Sequence, residues 1–191
     1  MDSTQSFRIG IASFWNQAEQ ISVWFLVTAC DNYHSDDVTL YLPLTQRPDN
    51  TWTVLARSAL KQGALEDMFL PNYKCTAVMD IGQIHCDVNV SGTIQEYLFS
   101  LSSQYAQTRQ GVPMEFGEQS YIQRALVSLS EIGYIPQPWR ISLIDEIGGR
   151  EIRRLEIQER ALGVPFAVIS FEDLYGEYHL TTSATSETHL L

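Results

Sequence analysis

From Phe7 to Val90 the apolar residues fall mostly in dense or alternating short runs, with one stretch at helical spacing near Ala59–Leu70, and after Thr93 helical spacing dominates. Phe7–Trp15 is rich in Ile and aromatics, and Gln20–Cys30 holds a Val-Trp-Phe-Leu-Val cluster suited to a buried strand. Val38–Leu44 alternates, with Val38, Leu40 and Leu42 on one face and Thr39, Tyr41 and Pro43 on the other. Arg47-Pro48-Asp49-Asn50 is a turn sequence, because Pro presets φ and Asp and Asn bond their own backbone, so Trp52–Ala56 closes a hairpin. A helix is expected over Ala59–Leu70, where Leu60, Ala64 and Met68 make one stripe, Gly63 weakens the run and Pro71 ends it. Lys74–Ile81 and Gln83–Val90 flank Gly82 as a second hairpin. Ile84, Cys86, Val88 and Val90 share one face of its second arm, and His85, Asp87 and Asn89 the other.

Thr93-Ile94-Gln95-Glu96 is a capping-box sequence, and Ile94, Leu98, Leu101 and Tyr105 follow on one helical face. Glu118–Ile132 makes a second helix, striped by Ile122, Ala125, Leu126 and Leu129, with Gly133 where a left-handed terminating residue belongs. Pro136 and Pro138 bracket a turn into an expected strand, Trp139–Asp145. Arg150–Leu162 has some alternation at Leu155 and Ile157, but the Glu156/Arg160 and Glu151/Arg154 spacings and the stop at Gly163 and Pro165 predict a helix. Phe166–Phe171 is a compact apolar run and reads as a strand. Strand, helix, strand is the arithmetic of a crossover joining two parallel strands.

The expected fold is therefore α+β: a strand-rich antiparallel first part and a C-terminal βαβ-like unit, forming a mixed sheet with helices packed on one face. One domain is expected over residues 1–178, with an internal seam at 107–117 and a polar tail at 179–191. The strand–hairpin–helix order over residues 20–108, taken with the acidity of the chain, resembles that of type III secretion chaperones.

Charge changes the picture more than composition does. Twelve Lys and Arg face 23 Asp and Glu, for a net charge of −11. Such a field repels nucleic acid and anionic lipid. The densest basic stretch, Arg150, Arg153 and Arg154, is interleaved with Glu151, Glu156 and Glu159, so nucleic acid is not expected as the main partner. The acids are scattered, with Asp36-Asp37, Glu66-Asp67, Asp145-Glu146 and Glu172-Asp173 the adjacent pairs, and do not form the dense array of a nucleic-acid mimic. Cys30, Cys75 and Cys86 are widely spaced and form no disulfide framework. The first residues lack a basic and apolar leader pattern, and the longest apolar run, Ile21–Cys30, is too short to span a bilayer. A cytoplasmic protein with no membrane association is expected.

Candidate chemistry is sparse. Cys30 and His34 are four apart, but paired zinc-knuckle spacing is missing and no metal or other cofactor is expected. Gly148-Gly149 lacks the pattern and the Lys of a phosphate loop and reads as a turn. The sharpest catalytic arrangement places Asp145 and Glu146 at the carboxyl end of a strand, with His85 and Asp87 two residues apart on one face of another, as a metal-dependent hydrolase or nuclease could use. Tyr41, facing away from Val38, Leu40 and Leu42, could pair with Trp52 to seed a partner-binding patch, since aromatics bury large area at low entropic cost. The reading favoured is a non-enzymatic accessory, adaptor or chaperone-like protein that binds another protein. The carboxylate enzyme is the alternative and a small-ligand binding domain the third, and a homo-oligomer is compatible with each.

Overall fold

A computed structural model describes residues 4–16, 18, 21–46, 52–68, 73–105, 118–135, 139–162 and 165–177. The turn at 47–50, the seam at 107–117 and the tail at 179–191 lie outside them. Five strands come first: β1 (Thr4–Asn16), β2 (Ile21–Ala29), β3 (Val38–Gln46), β4 (Trp52–Gly63) and β5 (Tyr73–Asp87). Helices α1 (Val88–Tyr105), α2 (Glu118–Glu131) and α3 (Ile141–Leu162) follow, then β6 (Ala167–Ser170) and a short helix, α4, at residues 171–177. The strands form one sheet in the order β4-β3-β2-β1-β5-β6, antiparallel throughout except for the parallel β5–β6 pair. This is the mixed α+β sheet that the residue pattern implied.

Both faces of the sheet are apolar, which is why β2 is hydrophobic almost without alternation. Trp24 and Leu26 of β2 join Phe7, Ile9 and Ile11 of β1 and Tyr41 of β3 in a core with Ile94, Leu98 and Leu101 of α1, Ile122, Leu126 and Leu129 of α2, and Ile144, Ile147 and Ile152 of α3. Val23, Phe25 and Val27 point the other way, with Ala12, Phe14, Val38, Leu40 and Leu42, into a second core. That second core is completed from connecting segments, by Tyr33, Leu65, Met68 and Phe166. Every described buried side chain of α1 to α4 belongs to the first core, so these helices cover one face of the sheet.

Helix ends follow local chemistry. Gly133, at φ 80°, closes α2: its N–H donates to the Ser130 carbonyl at 3.0 Å and that of Tyr134 to the Leu129 carbonyl at 2.8 Å, the two bonds of a Schellman cap. Ser170 caps α4 by accepting the Asp173 N–H at 3.3 Å, and Phe171 anchors it in an edge-on contact with Trp139, ring centroids 5.0 Å apart.

Four expected elements are corrected. Ala59–Gly63 is strand, because its pairing with Val38–Leu42 outweighs a weak, glycine-bearing helical stripe; only Leu65–Asp67 forms a short helical turn. Gly82 makes no hairpin. At φ 152° it lets β5 run straight past a bulge at Ile81. Val88 to Val90 begin α1 and do not extend the strand. Trp139–Asp145 is not a strand, for the N–H groups of Leu143 and Ile144 already donate to the Arg140 carbonyl at 2.9 and 3.0 Å as α3 begins. The parallel neighbour of β6 is therefore β5, and the connection between them carries α1, α2 and α3.

Gly148 and Gly149 lie inside α3, where glycine costs about 1 kcal/mol per residue relative to alanine. Close approach to the sheet explains the first, since a Cβ at Gly148 would stand 2.0 Å from the Met79 methyl of β5. One at Gly149 would instead meet Asp145 Oδ1 of the same helix at 3.0 Å and the Trp24 ring only at an ordinary 3.7 Å. Gly148→Ala should gain about 1 kcal/mol of helix propensity but lose about 1–3 kcal/mol to overpacking, lowering the melting temperature by roughly a few degrees. In a Met79→Val background the same substitution should be neutral or stabilising. Equal shifts in the two backgrounds, measured by thermal unfolding, would show that the Met79 contact does not set the helix position.

Candidate functional site

The described polar groups that converge most closely owe their position to an irregularity in β5. Pairing with β1 skips Thr76 and Ile81, leaving each as an extra residue. Each bulge resets the alternation, so Ala77, Met79, Ile81, Ile84 and Cys86 all serve the helix-side core while Tyr73, Cys75 and Val78 serve the opposite one. Asp80, between Met79 and Ile81, is thereby turned to the face away from the helices, opposite Gly10 of β1. There Arg8 donates from Nη2 to one carboxylate oxygen, and the Tyr33 hydroxyl donates to the other at 2.8 Å.

Gly10 makes this possible. A Cβ there would meet the Tyr33 hydroxyl at 2.7 Å and the Met79 carbonyl oxygen at 2.9 Å, so the Tyr33 ring reaches Asp80 across a strand position without a side chain. The segment carrying Tyr33 is shaped by its own bonds. Asn32 Oδ1 accepts the His34 N–H at 2.9 Å, and its carbonyl accepts from Ser35 Oγ at 2.7 Å. The His34 ring then stacks on Phe166, just before β6, with centroids 4.4 Å apart.

The electrostatics are those of a closed cluster. Arg8, its side chain 35% exposed, has its pKa raised chiefly by the hydrogen bond to Asp80. Burial pushes the Tyr33 phenol well above its ordinary value, the Asp80 charge adds to that, and Arg8 opposes it. Both Asp80 oxygens are engaged, so the arrangement ties the 31–37 segment to the sheet and positions Phe166 and β6. It is a positioning device. Residue patterning did not single out these three residues, although a glycine in an otherwise bulky strand and an aspartate inside Val78-Met79-Asp80-Ile81 were the signals available.

Of the sequence-predicted catalytic residues, His85 is not brought together with Asp145 and Glu146. His85 is exposed, and its neighbours Ile84 and Cys86 both enter the helix-side core, so His85 belongs to the other face. Asp145 and Glu146 are exposed on α3, in the helical layer, with the sheet between them and His85. They are not strand-end residues. Glu146 pairs with Arg150 at 3.4 Å, and Asp145 Oδ1 lies over Gly149. Asp87 ends β5, its backbone opposite Thr4; its side chain lies outside the described residues.

Tyr41 does face away from Val38, Leu40 and Leu42, but that direction is beneath the helices, where it is 0% exposed. It cannot touch a partner there. Burial pushes its phenol up to about 12, eased slightly by the neighbouring Thr28 hydroxyl. Trp52 pairs with Gln46 through its backbone, and its side chain lies outside the described residues. Cys75 is buried, which pushes its thiol up to about 12 and makes it a poor nucleophile. Among the described residues no group of three or more His, Cys, Asp or Glu is placed to hold a metal ion. A hollow of about 290 Å³ at the end of β4 is lined by Lys61, Gln62, Gly63, Ala64, Asp67 and Met68, a mixed polar and apolar rim.

No family model matches the chain, and no curated protein or solved structure matches it.

Tyr33→Phe should cost about 1.5–3 kcal/mol, because the lost bond is to a buried, ionised carboxylate. Gly10→Ala should cost at least as much, because its Cβ meets the Tyr33 hydroxyl and also the Met79 carbonyl oxygen, which cannot move aside as a flexible side chain can. Urea unfolding measures both, and a milder loss for Gly10→Ala would show that Tyr33 is not clamped across the strand. Alkaline pH supplies an independent test. Unfolded, Cys75 and Tyr41 release their protons near the ordinary values of 9.0 and 10.0, whereas the fold holds them to about 12. The folded chain then binds more protons, so stability should fall as pH rises past about 9 and continue falling toward 12. Cys75→Ala should flatten the first part of that decline in urea midpoints, and an unchanged slope would refute the assignment.

Proposed function

We propose that the chain is a non-enzymatic accessory protein, adaptor or chaperone-like in role, that binds another protein in the cytoplasm. The observation that carries this reading is where the described apolar surface lies. Val168, 44% exposed, sits on β6, the four-residue strand that ends the sheet. Leu60 on β4, 43% exposed, lies on the other terminal strand, and Ile132 at the end of α2 is 56% exposed. Solvent-facing apolar groups on strands at a sheet's ends suit recognition of another chain.

The polar groups support the same direction. Asp80 is engaged by Arg8 and Tyr33, Glu146 by Arg150, and Glu151 by Arg154, whose guanidinium holds the Glu151 carboxyl below its ordinary value. A carboxylate enzyme needs His85, Asp145 and Glu146 in one cleft, and the sheet stands between them. No described helix is long and apolar enough to cross a membrane.

Native mass spectrometry of the full chain, purified gently from its own host, tests the proposal. A stoichiometric second polypeptide is expected. A bare chain, or one carrying only a metal ion or small molecule, would overturn it.

A further inference from the structure

We propose that the outer edge of β6 receives an extended, basic segment of a partner protein as an added strand. The inference rests on the partner-binding reading and gives it a place and a chemistry.

A strand directs its peptide N–H and C=O groups alternately to its two neighbours. β6 uses one side for β5, pairing Ala167–Ser170 with Ala77–Asp80. Among the described residues nothing pairs with the other side, and β6 ends the sheet. Proteins usually blunt such an edge with charge, proline or a covering element. Ala167-Val168-Ile169-Ser170 contains neither charge nor proline. The opposite terminal strand, β4, differs: it carries Lys61, and α1 packs along it.

The position of β6 is also firmly set. Ser170 caps α4, Phe171 is buried against Trp139, and Phe166 stacks on His34, whose own N–H donates to Asn32 Oδ1. An edge already rigid loses little entropy when a strand is added.

Charge selects the occupant. Glu172 and Asp173 follow β6 directly and are exposed in the first turn of α4. A second copy would bring the same two acids to the edge and a net charge of −11 of its own, so self-pairing is disfavoured. A partner segment with apolar residues opposite Val168 and Lys or Arg near Glu172 and Asp173 satisfies the backbone, the exposed valine and the acids together.

The test uses the full chain and two peptide probes, one alternating valine and lysine and one alternating valine and glutamate. Binding of the lysine peptide should protect amides of Ala167–Ser170 from hydrogen exchange, and should weaken about tenfold in Glu172→Lys/Asp173→Lys and on raising salt from low to about 0.5 M. Glu172→Gln/Asp173→Asn, a milder change at exposed positions, should give an intermediate loss. Protection elsewhere in the chain, equal binding of the glutamate peptide, unchanged affinity in the charge-reversed protein, or protection of β6 by self-association would each overturn the proposal. Failure here is distinguishable from failure of the parent reading. A co-purifying polypeptide whose footprint lies away from β6 overturns the edge assignment alone, whereas a bare chain that also ignores the peptides overturns both.

Discussion

The pairing of β1 with β5 is the constraint on which the remaining structure depends. β1 is bonded on both sides, to β2 from Arg8 to Asn16 and to β5 from Thr4 to Asn16, so it joins the antiparallel group to the β5–β6 pair. The pairing is interrupted by extra residues at Thr76 and Ile81. Because side chains alternate with period two, each extra residue exchanges the faces for everything beyond it. Without the first bulge Cys75 and Ala77 would share a face; with it, Cys75 fills the loop-side core and Ala77 the helix-side core. The second keeps Ile84 and Cys86 beneath the helices and leaves Asp80 on the loop side beside Arg8.

Two different kinds of cover follow from that division. On one face amphipathic helices bury a broad apolar layer, and α3 comes so close that Gly148 replaces a residue with better helix propensity. On the other face segments without helical packing supply Tyr33, Leu65, Met68 and Phe166. A connecting segment must satisfy its backbone and hold its position by specific bonds. Here the bond is polar: the Tyr33 hydroxyl and Arg8 guanidinium meet on Asp80, and His34 carries the same segment onto Phe166. The electrostatic effort of this region thus goes into holding β6 in place.

That distribution bears on function. Among the described residues, His85 and the Asp145–Glu146 pair lie on opposite sides of the sheet, and Asp80, Glu146 and Glu151 are each met by an arginine. Among the described residues, the sheet margin at β6 carries an exposed valine and is followed by two exposed acids.

Residue pattern alone determined much of the architecture. The dense runs at Phe7–Trp15 and Gln20–Cys30 are strands, the Val38–Leu40–Leu42 alternation is real, the α2 stripe ends at Gly133 as its chemistry requires, and Phe166–Phe171 contains β6. Each is a local signal, a period or a cap readable within a few residues. Tertiary structure decided the rest. Whether Ala59–Gly63 is helix or strand depended on β3, a partner some twenty residues away, as the Gln62–Thr39 pairing shows. Gly82 looks the same in sequence whether it turns a hairpin or relieves a bulge, and Gly148-Gly149 whether it makes a turn or lets a helix approach Met79. Alternation correctly set Tyr41 apart from Leu40, yet only the placement of the helical layer decided that both faces are buried. The Arg8–Tyr33–Asp80 cluster joins residues as far as 72 positions apart, and no local period can announce a contact of that range. Sequence periodicity specifies which side chains share a face; only assembly of the sheet and its cover specifies what that face meets.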